Sequence, residues 1–118
     1  MMDETTTVLS KLASVLDMDT EVILAQSLRD FVAEQITLSQ QRISQGYMEH
    51  QRFLRKYGMP RQAFMRALEA LEEQPEEEAT LQGVPLLEAV ADSRWWAHVQ
   101  EELATETAKL EQLQALYK

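Results

Sequence analysis

From Glu21 to Tyr57 the chain carries no proline and a single glycine, Gly46. Apolar side chains recur there at Ala25, Leu28, Val32, Ile36, Ile43, Tyr47, Leu54 and Tyr57. That spacing drifts only slightly along one face of a helix. The pattern predicts one long helix, or two joined near Gly46. Its end is marked by Arg55 and Lys56, cations suited to the negative end of the helix dipole, by Gly58, suited to the left-handed position after a helix, and by Pro60, which cannot continue it. At the start, Asp19 or Thr20 offers a capping oxygen to the free amides of the first turn, and Glu21 adds negative charge there.

The flanking segments are shorter. Thr5 to Val8 reads as a short strand or a frayed end. Leu9, Leu12, Ala13 and Leu16 predict a short helix over Ser10–Leu16, ended by the sequence DMD. After the long helix, Pro60 is expected at the first position of another, which runs to about Glu73 with Ala63, Phe64, Ala67, Leu68 and Leu71 on its inner face. Gln74 to Pro85, within EQPEEEATLQGVP, is a connector rich in charge and helix breakers. Leu86 to Ala91 follows as one helical turn, and Asp92 or Ser93 is expected to cap a C-terminal helix. In that helix Trp96, Val99, Leu103, Leu110, Leu113 and Tyr117 alternate spacings of three and four, a coiled-coil-like seam in which Glu106 is the one misfit. The expected fold class is all-α, with room for a short N-terminal ribbon strand. Its parts are a dimerisation segment over 1–33, the long helix and a helical hairpin over 34–73, an acidic connector over 74–91 and an amphipathic helix over 92–118.

A chain of 118 residues buries only about two-thirds of its unfolded surface, so long helices within it are short of internal contacts. A second copy or a stable partner would supply the missing burial. With three Gly, three Pro and no Cys, the chain has few turn signals, no disulfide framework and no thiolate metal site. Met1 to Thr7 is acidic and polar, unlike a secretory signal, and no run approaches the roughly 20 apolar residues of a membrane span. A cytoplasmic location is expected.

The net charge of −9 is unevenly spread. Residues 1–33 carry six acids and two bases, and residues 67–118 carry twelve acids and three bases. Between them Arg42, Arg52, Arg55, Lys56, Arg61 and Arg66 face only Glu34 and Glu49. Arg52, Arg55, Lys56, Arg61 and Arg66 are the candidate nucleic-acid contacts. The preferred reading pairs these cations with the nearby acidic run, Glu69 to Glu78, or with the acids of a partner.

Catalytic and metal chemistry find little to work with. His50 and His98 stand far apart on different helices, and no Cys joins them, so no metal or cofactor is expected. The sequence contains no nucleophile elbow, phosphate-binding glycine loop or HExxH motif, and the carboxylates of EEQPEEE read as a solvated run. The chain is expected not to be an enzyme. Trp95 and Trp96 have two readings of equal weight: one indole in the core with the other capping it, or one serving as an interface anchor.

At LSKLASVLDMDTEVILAQSLRDFVAEQI the chain resembles the helix–turn–helix part of ribbon-helix-helix proteins, small dimeric repressors and antitoxins. Leu12, Leu16, Met18, Val22, Ile23, Leu28, Phe31 and Val32 match that family's apolar positions, and TTTV stands where its ribbon would be. The resemblance implies dimerisation through Leu12, Leu16, Val22, Ile23, Leu28, Phe31 and Val32. It departs where DNA is read, since MMDETTTV offers two acids and three Thr in place of basic or amide side chains. KYGMPRQAF and DSRWWAHVQEEL are similar to segments of small antitoxins of type II toxin–antitoxin modules, without the acidic residue those proteins commonly place between the aromatics. Those antitoxins neutralise a toxin with their C-terminal part.

The function expected is therefore that of a homodimeric antitoxin which occludes a basic, toxin-like protein, with a ribonuclease as a candidate, using its acidic C-terminal half. Contacts are expected at Glu72, Glu73, Glu76, Glu77, Glu78, Trp95, Trp96, Val99, Leu103, Leu110, Leu113 and Tyr117. The alternatives are a DNA-binding repressor and an acidic, phage-type inhibitor or adaptor of a nucleic-acid enzyme.

Overall fold

The computed structural model describes residues 4–73 and 80–117. Four helices account for nearly all of them: α1 (Glu4–Leu16), α2 (Thr20–Tyr57), α3 (Arg61–Glu72) and α4 (Leu86–Ala115). A two-residue hairpin, β1 (Thr80–Leu81) with β2 (Val84–Pro85), precedes α4. The all-α expectation holds at this level. No described helix is long and apolar enough to cross a membrane. The chain forms two compact units, residues 1–38 and residues 39–118, and α2 contributes to both.

In the first unit, α1 begins at Glu4, so Thr5–Val8 is helical and the expected ribbon strand is replaced by a helix turn. Intrahelical hydrogen bonding is open to these Thr residues, whereas a lone strand has no neighbour within one chain. The break at DMD closes α1 with paired hydrogen bonds. Asp17 adopts a left-handed conformation (φ 53°), its amide donates to the Ser14 carbonyl at 3.4 Å and the Met18 amide donates to Ala13 at 3.0 Å. This is a Schellman ending, built on an aspartate where glycine is usual. The Asp19 carbonyl then accepts from the Ile23 amide, which places Asp19 at the N-cap of α2.

The second unit holds the core. Phe53 and Tyr57 of α2, Phe64 and Leu68 of α3, Val84 of β2, and Ala89, Trp96 and Val99 of α4 are buried together. Trp96 lies at its centre, stacked on Phe53 at 5.3 Å and on Tyr57 at 6.5 Å, with Phe64 tilted against it at 5.3 Å. Contacts at Ser39–Glu106, Gly46–Leu103, His50–Trp96 and Lys56–Asp92 advance along α2 as they retreat along α4, so the two helices pack antiparallel in this unit.

Gly46 does not interrupt α2. A β-carbon there would stand 2.7 Å from Leu103 Cδ2, so the glycine admits the side chain of the facing helix. Gly58 ends α2 as expected, at φ 66° with its amide donating to Leu54 at 2.8 Å. Pro60 occupies the N-cap of α3, one position before the one expected. Asp92 and Ser93 cap nothing: α4 is continuous from Leu86, with Pro85 at its N-cap. Asp92 faces α2, and Ser93 donates to the Val90 carbonyl within its own helix.

Candidate protein-binding surfaces

Two surfaces expose side chains of the kind that bind proteins. The first is the helical hairpin of the 1–38 unit, where Ala13, Ile23 and Val32 are buried, while Val8, Leu12, Val15, Leu16, Met18, Val22, Leu24, Leu28 and Phe31 are exposed. Val8, Leu12 and Val15 form one stripe along α1, and Leu24, Leu28 and Phe31 form another along α2, each at spacings of four and three. Of the expected dimerisation residues, Leu12, Leu16, Val22, Leu28 and Phe31 are thus available to a partner. Ile23 and Val32, each 6% exposed, serve the interior of the chain instead. The helix pattern marked all of these positions as apolar without distinguishing the inner face from the outer one.

The second surface lies along α2 and α4 within the 39–118 unit. Trp95 is half-exposed, with its indole tilted against His98 at 5.3 Å. The neighbouring Trp96 is wholly enclosed, and its Nε1–H donates to His50 Nδ1 at 2.8 Å. The adjacent indoles have therefore separated into a core residue and a surface residue, as helical geometry requires. Trp96 and Val99 are corrected from partner contacts to core, and Leu103 packs against that core half-covered. Leu110 and Leu113 are half-buried and Tyr117 is exposed. Glu72 and Glu73 are exposed at the end of α3; Glu76, Glu77 and Glu78 lie outside the described residues.

Glu106, the misfit in the seam, is held by α2. Ser39, which is wholly buried, donates its hydroxyl to Glu106 Oε2 at 2.9 Å, and Arg42 lies 3.6 Å from Oε1. A carboxylate in an otherwise apolar row was the only sequence signal for this polar contact, and its partner, Ser39, had none.

Three of the six cations of the basic middle, Arg42, Arg52 and Lys56, are ion-paired within the chain, though not with the expected acids. Lys56 Nζ donates to Asp92 Oδ2 at 2.6 Å and lies 3.4 Å from Glu88. Tyr57 donates its hydroxyl to the same Asp92 oxygen at 2.6 Å. Burial raises the Asp92 pKa, but the hydrogen bonds from Lys56 and Tyr57 with the Lys56 charge outweigh it and hold the carboxyl below its ordinary range. The Asp92 hydrogen bond is the main cause raising Lys56, whereas Tyr57 is pushed up first by burial and then by Asp92. Arg52 pairs with Glu49 at 2.9 Å and lies over the Phe53 ring at 4.6 Å, and Arg61 donates to Gln100 at 3.3 Å. Arg55 and Arg66 are exposed, and neither forms an ion pair among the described residues. The expected pairing with Glu69–Glu73 is replaced by pairing with α4 and within α2, because those acids face Lys56, Arg52 and Arg42 directly. Glu76–Glu78 lie outside the described residues.

No group of three His, Cys, Asp or Glu side chains converges to hold a metal ion among the described residues. In comparisons with known proteins, the chain matches no family model, no curated protein and no solved structure.

Proposed function

We propose that this is a non-catalytic binding protein of antitoxin type. Two copies join through the apolar hairpin of the 1–38 unit, and each presents the outer face of α4 to a basic toxin, with a ribonuclease the favoured class. Its mechanism is occlusion: an acidic helix laid over a cationic RNA-binding cleft is steered there by charge and excludes the substrate. The observation that carries this reading is the half-exposed Trp95 on α4, which lines one cleft with the exposed carboxylates Glu49 and Glu102. A large exposed aromatic in a cleft that also carries carboxylates has the composition of an anchor for a basic protein surface. The resemblance of the two C-terminal motifs to antitoxins points the same way. A repressor reading loses support because Lys56 and Arg52 are internally paired and the segment resembling a DNA-reading ribbon is helical.

The test is co-expression with the product of the neighbouring gene. That product alone should arrest growth and degrade RNA, the full chain should restore growth and co-purify with it in a fixed ratio, and Trp95→Ala should weaken the rescue. A neighbour that is harmless alone, or whose toxicity the chain leaves unchanged, sinks the antitoxin reading.

A further inference from the structure

The antiparallel packing of α2 and α4 leaves a cleft of about 200 Å³ on the 39–118 unit, beside Trp95. That is smaller than the roughly 300–1,000 Å³ of a small-molecule site and suits a single inserted side chain. Gly46, Val99 and Leu103 supply apolar lining; of the three carboxylates there, Glu106 is held by Ser39 and Arg42, which leaves Glu49 and Glu102 as the acceptors for a partner. Glu102 and Glu49 keep 67% and 41% of their side-chain surface exposed, and their recorded partners, His98 and Arg52, are themselves about half-exposed. A carboxylate has roughly four acceptor positions, so the two bonds from Arg52 leave Oε1 of Glu49 open and the single contact with His98 leaves most of Glu102 open.

We infer that this cleft receives an arginine side chain from a protein partner. The apolar lining suits its methylene stem, the Trp95 face attracts the guanidinium by cation–π interaction, and the carboxylates accept its fork of N–H donors. Arginine fits better than lysine because a planar guanidinium stacks on an indole while still donating in its plane. The same charges repel phosphate, so the partner contact is protein and not nucleic acid. The inference deepens the protein-binding reading given above and rests on it, but it can be tested without the natural partner.

The experiment is an NMR titration of the isotopically labelled full chain with acetyl-Gly-Arg-Gly-amide, and with the lysine and citrulline peptides as comparisons. With the arginine peptide, the Trp95 indole N–H signal and the Glu102 amide should move and saturate. The Trp96 indole, bonded to His50 in the core, should stay in place and report an intact fold. Citrulline should have no effect, and Trp95→Ala and Glu102→Gln should each weaken binding by about threefold. An unmoved Trp95 signal, or an equal response to citrulline, overturns the cleft assignment, whereas a lysine response equal to that of arginine overturns the choice of arginine. If the peptide binds but no natural toxin is found, the antitoxin reading fails and the cleft stands. If the toxin is neutralised but the peptide does not bind, the cleft fails alone.

Discussion

Asp92 is the residue through which α4 holds the end of α2. One of its oxygens accepts from both Lys56 Nζ and Tyr57 Oη at 2.6 Å. Replacing it with Asn removes the charge that Lys56 faces and weakens the acceptor for Tyr57, a change worth about 2 kcal/mol for hydrogen bonds to a charged group. The pH dependence follows from the directions of the shifts. Asp92 is depressed, so its contribution is complete above its ordinary value near 3.8 and disappears as the pH falls through the lower folded value. Lys56 is raised, so its contribution is complete below its ordinary value near 10.5 and disappears as the pH rises through the higher folded value. Urea unfolding of wild type and Asp92→Asn between pH 2 and 11 should therefore show the full difference near neutrality, shrinking at both extremes. A difference that stays constant down to pH 2 would mean that Asp92 acts by shape and not by charge.

At the scale of elements, two glycines have different tasks. Gly46 is a contact residue, because a β-carbon would meet Cδ2 and Cγ of Leu103 at 2.7 and 2.9 Å. Gly46→Ala gains about 1 kcal/mol of helix propensity but must displace Leu103, so it should leave thermal stability little changed. In a Leu103→Ala background the obstruction is gone, and the same Gly46→Ala change should raise stability by about 1 kcal/mol. Equal effects in both backgrounds would show that the two residues do not compete for space. Gly83 instead completes a two-residue turn in which it and Gln82 both take positive φ, 79° and 51°. Asn accepts that conformation more readily than Gln, so Gln82→Asn should stabilise the chain by about 0.5 kcal/mol in thermal denaturation, and no gain would place the limit elsewhere in the hairpin.

Much of this was legible in advance for a local reason: the stripe of α2, the Gly58 ending and the break at DMD are short-range signals. The hairpin was not legible because Gln-Gly is a weak form of a turn usually written Asn-Gly. Nor could Asp92 be told from an N-cap, since an acid before a helical stripe reads the same way whether it bonds its own backbone or a lysine 36 positions earlier. At the candidate site the sequence shows Trp95 and Trp96 as a pair, but which of them faces solvent depends on the packing of α2, α3 and α4 around Trp96.

For the molecule as a whole, the decisive quantity is what the 1–38 unit leaves uncovered. A segment of that size lies near the lower limit, about 40 residues, at which a chain supports a core without outside help. Here nine large apolar side chains are exposed against three buried apolar residues in that unit; eight fall on α1 and α2, and Met18 lies in the turn between them. A second copy provides an identical apolar face, and a two-fold pairing of identical faces is the commonest form of association. The proposed dimer therefore predicts a sedimentation mass twice that of one chain at micromolar concentration. Leu28→Glu with Phe31→Glu removes two apolar contacts and places carboxylates at the shared face. With each buried side chain worth roughly 1.5–3 kcal/mol, the double substitution should raise the dimer dissociation constant at least about a hundredfold. Both residues are about 58% exposed, so the helical circular dichroism of the variant should match that of the native chain. A wild-type protein that sediments as one chain at all concentrations, or a variant that stays dimeric, removes the 1–38 hairpin as the dimer interface.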